Sequence, residues 1–189
     1  MSTIITKAFA VDNRFQLKEG AGSDAVHINP AYAYATCILK TDTSETGTGI
    51  TLHMGTGNEI ICSAIDYLCA TLVGKDIETL MANWGPTVRA LSNHHHLRWL
   101  GPHKGVVGLA LAAVSNACFD LWSKSRGVPT WKLLLDLEPE AFVNLLDLSY
   151  VEDVLTRDEA LALLIEQRAT RPAREGVLTA GYPGYDTSV

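Results

Sequence analysis

The sequence predicts an α+β fold in which a three-stranded antiparallel meander is followed by a helical bundle. Three observations carry this prediction. Period-two alternation is confined to the stretch ending at His53, whereas apolar residues from Glu59 onward recur at helical spacing. Strands come first and helices after, with no βαβ alternation, which favours α+β over a parallel sheet. The run Gly105–Trp122 is apolar on nearly every side, the signature of a helix in a core.

Residues 3–11 alternate weakly and open the meander. Leu17–Ala31 is rich in Gly, Asp and Asn with one Pro and reads as a loop. From Tyr32 to Lys40 the alternation is clear: Tyr32, Tyr34, Thr36 and Ile38 share one face, Ala33, Ala35, Cys37 and Leu39 the other. Thr41–Gly47 is a polar turn and Gly49–His53 the third strand. Ile61, Ala64, Ile65, Leu68, Cys69 and Leu72 then mark a helix over Glu59–Val73, stopped by Gly74. A second helix covers Ile77–Leu91, with a break expected at Gly85-Pro86, because proline is tolerated in a first turn but not in a helix interior. His103–Arg126 is the long core helix, ended by Gly127, and its apolar girth calls for cover on all sides, of which the short meander and two companion helices are expected to supply only part. Shorter helices are expected over Thr130–Leu135 and Pro139–Leu146. Thr156 and Glu159 form a capping box that opens a helix to about Arg168. The tail from Gly181 reads as a turn into a strand.

The bulk properties exclude several classes. The 189 residues are 47% hydrophobic and 19% charged, a globular composition. The net charge is −6 and no Lys/Arg cluster is dense enough to follow a phosphate backbone, so no nucleic-acid partner is expected. No signal peptide is visible, and Ser115, Asn116 and Asp120 interrupt the apolar run, so the expectation is a cytoplasmic protein with no membrane partner. Cys37, Cys62, Cys69 and Cys118 form no CxxC pair and read as reduced, buried thiols.

Few residues offer chemistry. His94, His95 and His96 are consecutive, so on a helix they point about 100° apart and do not converge as an i, i+4 metal pair does. A loop could still gather two of them, but a solvated loop or helix end is the plainer reading. His53 and His103 lie singly at element boundaries and read as surface or capping histidines. Asn116 and Asp120 share a helix face and are expected to tie that helix to a neighbour's backbone or to an arginine. Asp147, Glu152 and Asp153 form an acidic patch beside a turn, read as solvated surface. Gly55-Thr56-Gly57 lacks a nucleotide-loop pattern and is read as a turn into the next helix. No catalytic residue and no metal site emerges.

Several stretches, in order, resemble acid-sugar dehydratases of the enolase superfamily, most of all the L-fuconate dehydratases. They are Gly22–Ala25 with Asn29–Tyr32, Gly55–Asn58, Leu97–Val106, Ala113–Trp122, Asp153–Leu161 and Gly181–Ser188. The resemblance implies a capping domain over residues 1–135, with residues 136–189 as the connection to a (β/α) barrel and its first strand near Tyr185–Val189. A barrel takes about 250 residues. The Lys-x-Lys base, the Mg²⁺ carboxylates and the His–Asp pair of the family would therefore lie beyond Val189. Mg²⁺ is the cofactor of the intact family, and none is expected on this chain alone. The resemblance places Gly22, Ser23 and Asp24 in a loop that contacts the acid sugar, with Tyr32 at its end. An ordinary loop with an Asx turn is the competing reading of that segment. The three histidines of Asn93–His96 and the Gly85-Pro86 break depart from the family pattern. The expectations are thus an inactive dehydratase fragment or, from another class, a sugar-acid-binding or homologue-docking module, with homo-oligomerisation or association with a full-length homologue as its protein partnerships. A His-rich metal-binding protein is a third reading.

Overall fold

The alternation between Tyr32 and Lys40 becomes the central strand of a three-stranded sheet in the computed structural model, which describes residues 2–28, 31–101, 104–181 and 184. Strands β1 (Ile5–Gln16), β2 (Ala31–Thr41) and β3 (Thr46–Met54) run antiparallel in the order β1-β2-β3. Strand β1 extends five residues beyond the expected Val11, because Asp12–Gln16 stay paired with Ala31–Ala35 despite their polarity. The register places Ala8 and Ala10 against Leu39 and Cys37, and Gly47 and Gly49 against the same two residues from the other side. One sheet face is therefore lined by small side chains, and helices can approach it closely.

Among the described residues, eight α-helices follow: α1 (Asn58–Cys69), α2 (Ile77–Ala82), α3 (Trp84–Ser92), α4 (Val106–Ser125), α5 (Thr130–Asp136), α6 (Pro139–Val143), α7 (Arg157–Glu166) and α8 (Arg171–Ala180). The fold class expected from the sequence, a meander followed by helices, is the one observed. Helix α1 and helix α4 cover the small-residue face of the sheet, and Ala35, Cys37, Leu39, Ile65, Leu68, Ala113, Ala117 and Leu121 form the centre of the core.

The close packing of α4 on β3 is the tightest feature of the fold. A methyl added at Gly49 would lie 2.0 Å from the Ala113 carbonyl oxygen and 2.2 Å from the Ala117 nitrogen. At Gly47 it would meet the Ala117 carbonyl oxygen at 2.4 Å. Polar side chains of α4 then close the outer edge of β3. Asp120 accepts from the Thr48 N–H at 2.8 Å, Asn116 donates to the Ile50 carbonyl at 3.2 Å, and Lys124 donates to the Thr46 carbonyl at 2.9 Å. Asn116 and Asp120 thus tie α4 to a neighbour's backbone, one of the two roles their spacing allowed.

Helix α4 is long and apolar enough to cross a membrane by length and composition, with a mean hydropathy of 1.5. Here its apolar stripe of Val107, Ala110, Val114, Cys118 and Leu121 is fully buried in the core. The sheet and the companion helices cover it only in part, as its apolar girth led one to expect. Ala112 and Asn116 are exposed, and Leu109 and Leu111 are only half-buried.

The break expected at Gly85-Pro86 falls at Asn83, which separates α2 from α3 and leaves the proline in the first turn of α3. Gly85 is also a contact point: its N–H donates to the Asn144 carbonyl at 2.9 Å, and a methyl there would lie 2.2 Å from the Leu146 carbonyl oxygen. The helix expected over Pro139–Leu146 ends at Val143, and residues 144–146 turn back to receive Gly85. The Thr156–Glu159 capping box is present, with both of its reciprocal hydrogen bonds. Helix α8 escapes the sequence reading, because Gly176 and four polar residues mask its weak apolar stripe; Pro172 in its first turn is its one start signal. The expected strand near Tyr185–Val189 lies outside the described residues, as does His103.

Candidate functional site

The loop between β1 and β2 is organised by Asp24. Gly22 precedes it in the left-handed region, at φ 66°, where a side chain is disfavoured. The Asp24 carboxylate then accepts from the Val26 N–H at 2.8 Å and the His27 N–H at 2.6 Å, and the His27 ring lies 3.1 Å from both of its oxygens. The Asp24 N–H donates to the His27 carbonyl at 2.9 Å. These donors, the His27 N–H foremost, hold the Asp24 acid down to about 2. The Asx turn that competed with the sugar-contact reading is therefore real. It is not exclusive, because the Asp24 side chain stays half exposed and Ser23 beside it lies at the surface.

Tyr32 reaches the same end of the molecule from a different element. It is paired with Phe15 and Met54 on the sheet face opposite the helices. That face is aromatic and apolar, with Phe15 and Tyr34 edge to face at 5.6 Å. A shallow groove of about 460 Å³ runs over Asn13, Phe15, Tyr32, Tyr34, Thr36 and Ile50. The four sequence-predicted residues thus come from two elements: Gly22, Ser23 and Asp24 from the loop, Tyr32 from the sheet.

A polar network that the sequence did not reveal fixes the base of this region. Asn58, at the start of α1, is fully buried and donates to Asp12 at 2.5 Å, while its own oxygen lies 3.2 Å from His53 Nε2. Arg14 grips Asp12 with two hydrogen bonds, at 2.9 and 2.7 Å, and Glu59 with a third at 2.5 Å. Arg14 and Asn58 together hold the Asp12 acid down to about 2. The network joins β1, β3 and α1. The Gly55 N–H adds a link at 3.3 Å to the Ala31 carbonyl, where the loop re-enters the sheet.

The remaining candidates carry no constellation. His94 and His95 stack and His96 lies tilted against both, with ring centroids 3.9–5.7 Å apart, and Tyr67 packs edge-on against His94 at 5.2 Å. Burial first, and then its two neighbours, pushes the His94 imidazole down. Among the described residues, no group of three or more His, Cys, Asp or Glu side chains is placed to hold a metal ion. The four cysteines are free and buried. Asp147 faces Arg89 at 3.8 Å, while Glu152 and Asp153 are exposed.

Residues 23–134 match the N-terminal domain of the mandelate racemase/muconate lactonizing enzyme family. The chain belongs to the enolase superfamily. L-galactonate dehydratase of Hypocrea jecorina is 44% identical over 169 residues, which are 88% of this chain and 38% of that protein. Human mitochondrial enolase superfamily member 1 is 39% identical over 97% of this chain and 42% of its own length. The crystal structure of that human protein superimposes with a TM-score of 0.90 at 38% identity, over 97% of this chain and 43% of that one. L-talarate dehydratase from Polaromonas sp., solved with Mg and L-glucarate, shares the enolase-superfamily fold at a TM-score of 0.54 and 21% identity, over 70% of this chain and 35% of that one. The chain therefore spans well under half the length of the superfamily members it resembles.

Proposed function

We propose that this chain presents the sugar-facing cap surface of an acid-sugar dehydratase whose substrate is L-fuconate or the closely related L-galactonate. The observation that carries this reading is the 44% identity to an L-galactonate dehydratase across 88% of the chain. L-fuconate is L-galactonate without its terminal hydroxyl, so one stereochemical pattern of hydroxyls serves both acids. Ser23 and Asp24 suit that pattern, since a hydroxyl donates or accepts and a carboxylate accepts from sugar hydroxyls. Gly22 lets a ligand approach the backbone closely, and Tyr32 adds a phenol from the sheet.

A dehydration of this class removes a weakly acidic proton next to a carboxylate and expels the neighbouring hydroxyl. The Mg²⁺ implied by the family resemblance needs a cluster of oxygen ligands, and the described residues supply none. What this chain offers is recognition and the exclusion of water, as loops that close over an active site do. The 189-residue chain by itself is accordingly expected to have no turnover. Incubation of the purified chain with L-fuconate or L-galactonate and Mg²⁺ should yield no 2-keto-3-deoxy acid; steady product formation would contradict this.

A second reading, a module that docks on a full-length homologue, is favoured by one observation. Leu146, Tyr150, Val151, Val154, Leu163, Ile165 and Val177 are all exposed in the C-terminal half, Val154 by 78%. Exposed apolar area of this kind marks interaction surfaces. Co-purification with an intact homologue supports this reading, and its absence removes it.

A further inference from the structure

An Asx turn needs one side-chain oxygen and the main-chain N–H groups that follow it. At Asp24 the Val26 and His27 N–H groups both donate to Oδ1, at 2.8 and 2.6 Å, and complete that turn. The His27 ring adds a contact that the turn does not require. Its Nδ1 lies 3.1 Å from Oδ1 and 3.1 Å from Oδ2, so one ring nitrogen spans the whole carboxylate. An ionised carboxylate only accepts, so the proton sits on Nδ1 and the ring donates. Apolar packing does not order this stretch: Val26 and Ile28, on either side of the histidine, are 80% and 81% exposed. The side chain of His27 is the less exposed of the pair, at 38% against 51% for Asp24, whose carboxylate stays open to solvent.

We propose that His27 is a positioning residue for sugar binding: its ring fixes the plane of the Asp24 carboxylate, so that Oδ2 meets a sugar hydroxyl already ordered. The inference rests on the reading of this loop as sugar-facing and adds to it a residue that does not itself touch the sugar. The backbone donors pin Oδ1 alone, which leaves Oδ2 to swing about it. The ring contact removes that swing. A carboxylate oxygen accepts at two positions, so Oδ2 can take a hydroxyl while the ring holds it. A side chain ordered in advance avoids the entropic cost of immobilisation on binding. The ligand group at Oδ2 is a hydroxyl, because the carboxylate of the sugar acid would meet like charge there. The acid therefore turns its hydroxylated end to the loop.

Amide-shift titrations of the ¹⁵N-labelled chain with L-fuconate test the role. His27→Ala should weaken binding about three- to tenfold, the range for immobilising one side chain. His27→Asn should restore affinity to within about twofold of the native chain, because the asparagine Nδ2 lies as many bonds from Cβ as the imidazole Nδ1 and also donates. Asp24→Ala should lose at least as much as His27→Ala. Adding His27→Ala to it should weaken binding no further, since the histidine acts through the carboxylate. Spectra outside the β1–β2 loop should be the same in every variant. Binding that survives His27→Ala, a failure of His27→Asn to restore it, or losses that multiply in the double variant would overturn the positioning role and leave the sugar-facing loop standing. A native chain whose Gly22, Ser23 and Asp24 amides ignore L-fuconate would remove the loop assignment, and the positioning role with it.

Discussion

Gly49→Ala is expected to destabilise the chain by about 3 kcal/mol, the upper end for an overpacked core. The new methyl would sit 2.0 Å from the Ala113 carbonyl oxygen and 2.2 Å from the Ala117 nitrogen, both of them backbone atoms. No rotamer change relieves such a clash, so α4 must lift from β3. The displacement would also pull Asp120 and Asn116 off the edge of β3. Urea unfolding at an unchanged m value measures the loss as a lower midpoint. Gly108→Ala on the same helix is the control, since a methyl there meets nothing within 4 Å. It should instead stabilise by about 0.5–1 kcal/mol, the usual gain for replacing glycine in a helix. If both variants lose stability equally, the close approach of helix and strand is not what Gly49 serves.

Asn58→Leu should cost about 1.5–3 kcal/mol, the range for hydrogen bonds to a charged partner. The side chain is fully buried and bridges Asp12 and His53. A leucine of similar size keeps the volume but leaves both partners short of a bond. The second consequence is local. With the bridge gone, hydrogen exchange at Gly55 and Gly57 should quicken more than in the core of α4. A change within about 0.5 kcal/mol, typical of ordinary surface substitutions, would show that the network does not hold the base of the loop.

These two residues also show what the sequence could and could not reveal. The alternation in β2 was legible because its period is short and local, and the inward face of Ala33, Ala35, Cys37 and Leu39 is the buried one. The capping box at Thr156 was legible for the same reason. Gly49, by contrast, reads as one more glycine in a strand until α4 is seen lying on it. Asn58 and Asp12 are 46 positions apart, and neither belongs to a motif, so only the fold brings them together. The outer end of β1 was hidden too, because the weak alternation of residues 3–11 gives way to the polar run Asp12–Gln16, although pairing with β2 holds that run extended. The loop residues Gly22, Ser23 and Asp24 were singled out by family resemblance rather than by their chemistry. Asp24 alone would have read as the anchor of an Asx turn, which it also is.

On the proposed reading, cap and loop recognise a sugar acid without carrying the means to break it. Strands β1 and β2 hold the two ends of the loop. The helical half has a cleft of its own, about 400 Å³, with Arg168, Arg171 and Arg174 over an apolar floor. Three guanidinium groups there are the strongest competitor for a carboxylate ligand.

The decisive measurement is therefore where a sugar acid touches the chain. A titration of the ¹⁵N-labelled protein with L-fuconate, followed by amide chemical shifts, should move Gly22, Ser23, Asp24 and Tyr32 and leave α5–α8 unmoved. Shifts gathered at Arg168–Arg174, or no shift anywhere at the solubility limit of the ligand, would contradict the assignment of the β1–β2 loop as the sugar-facing surface.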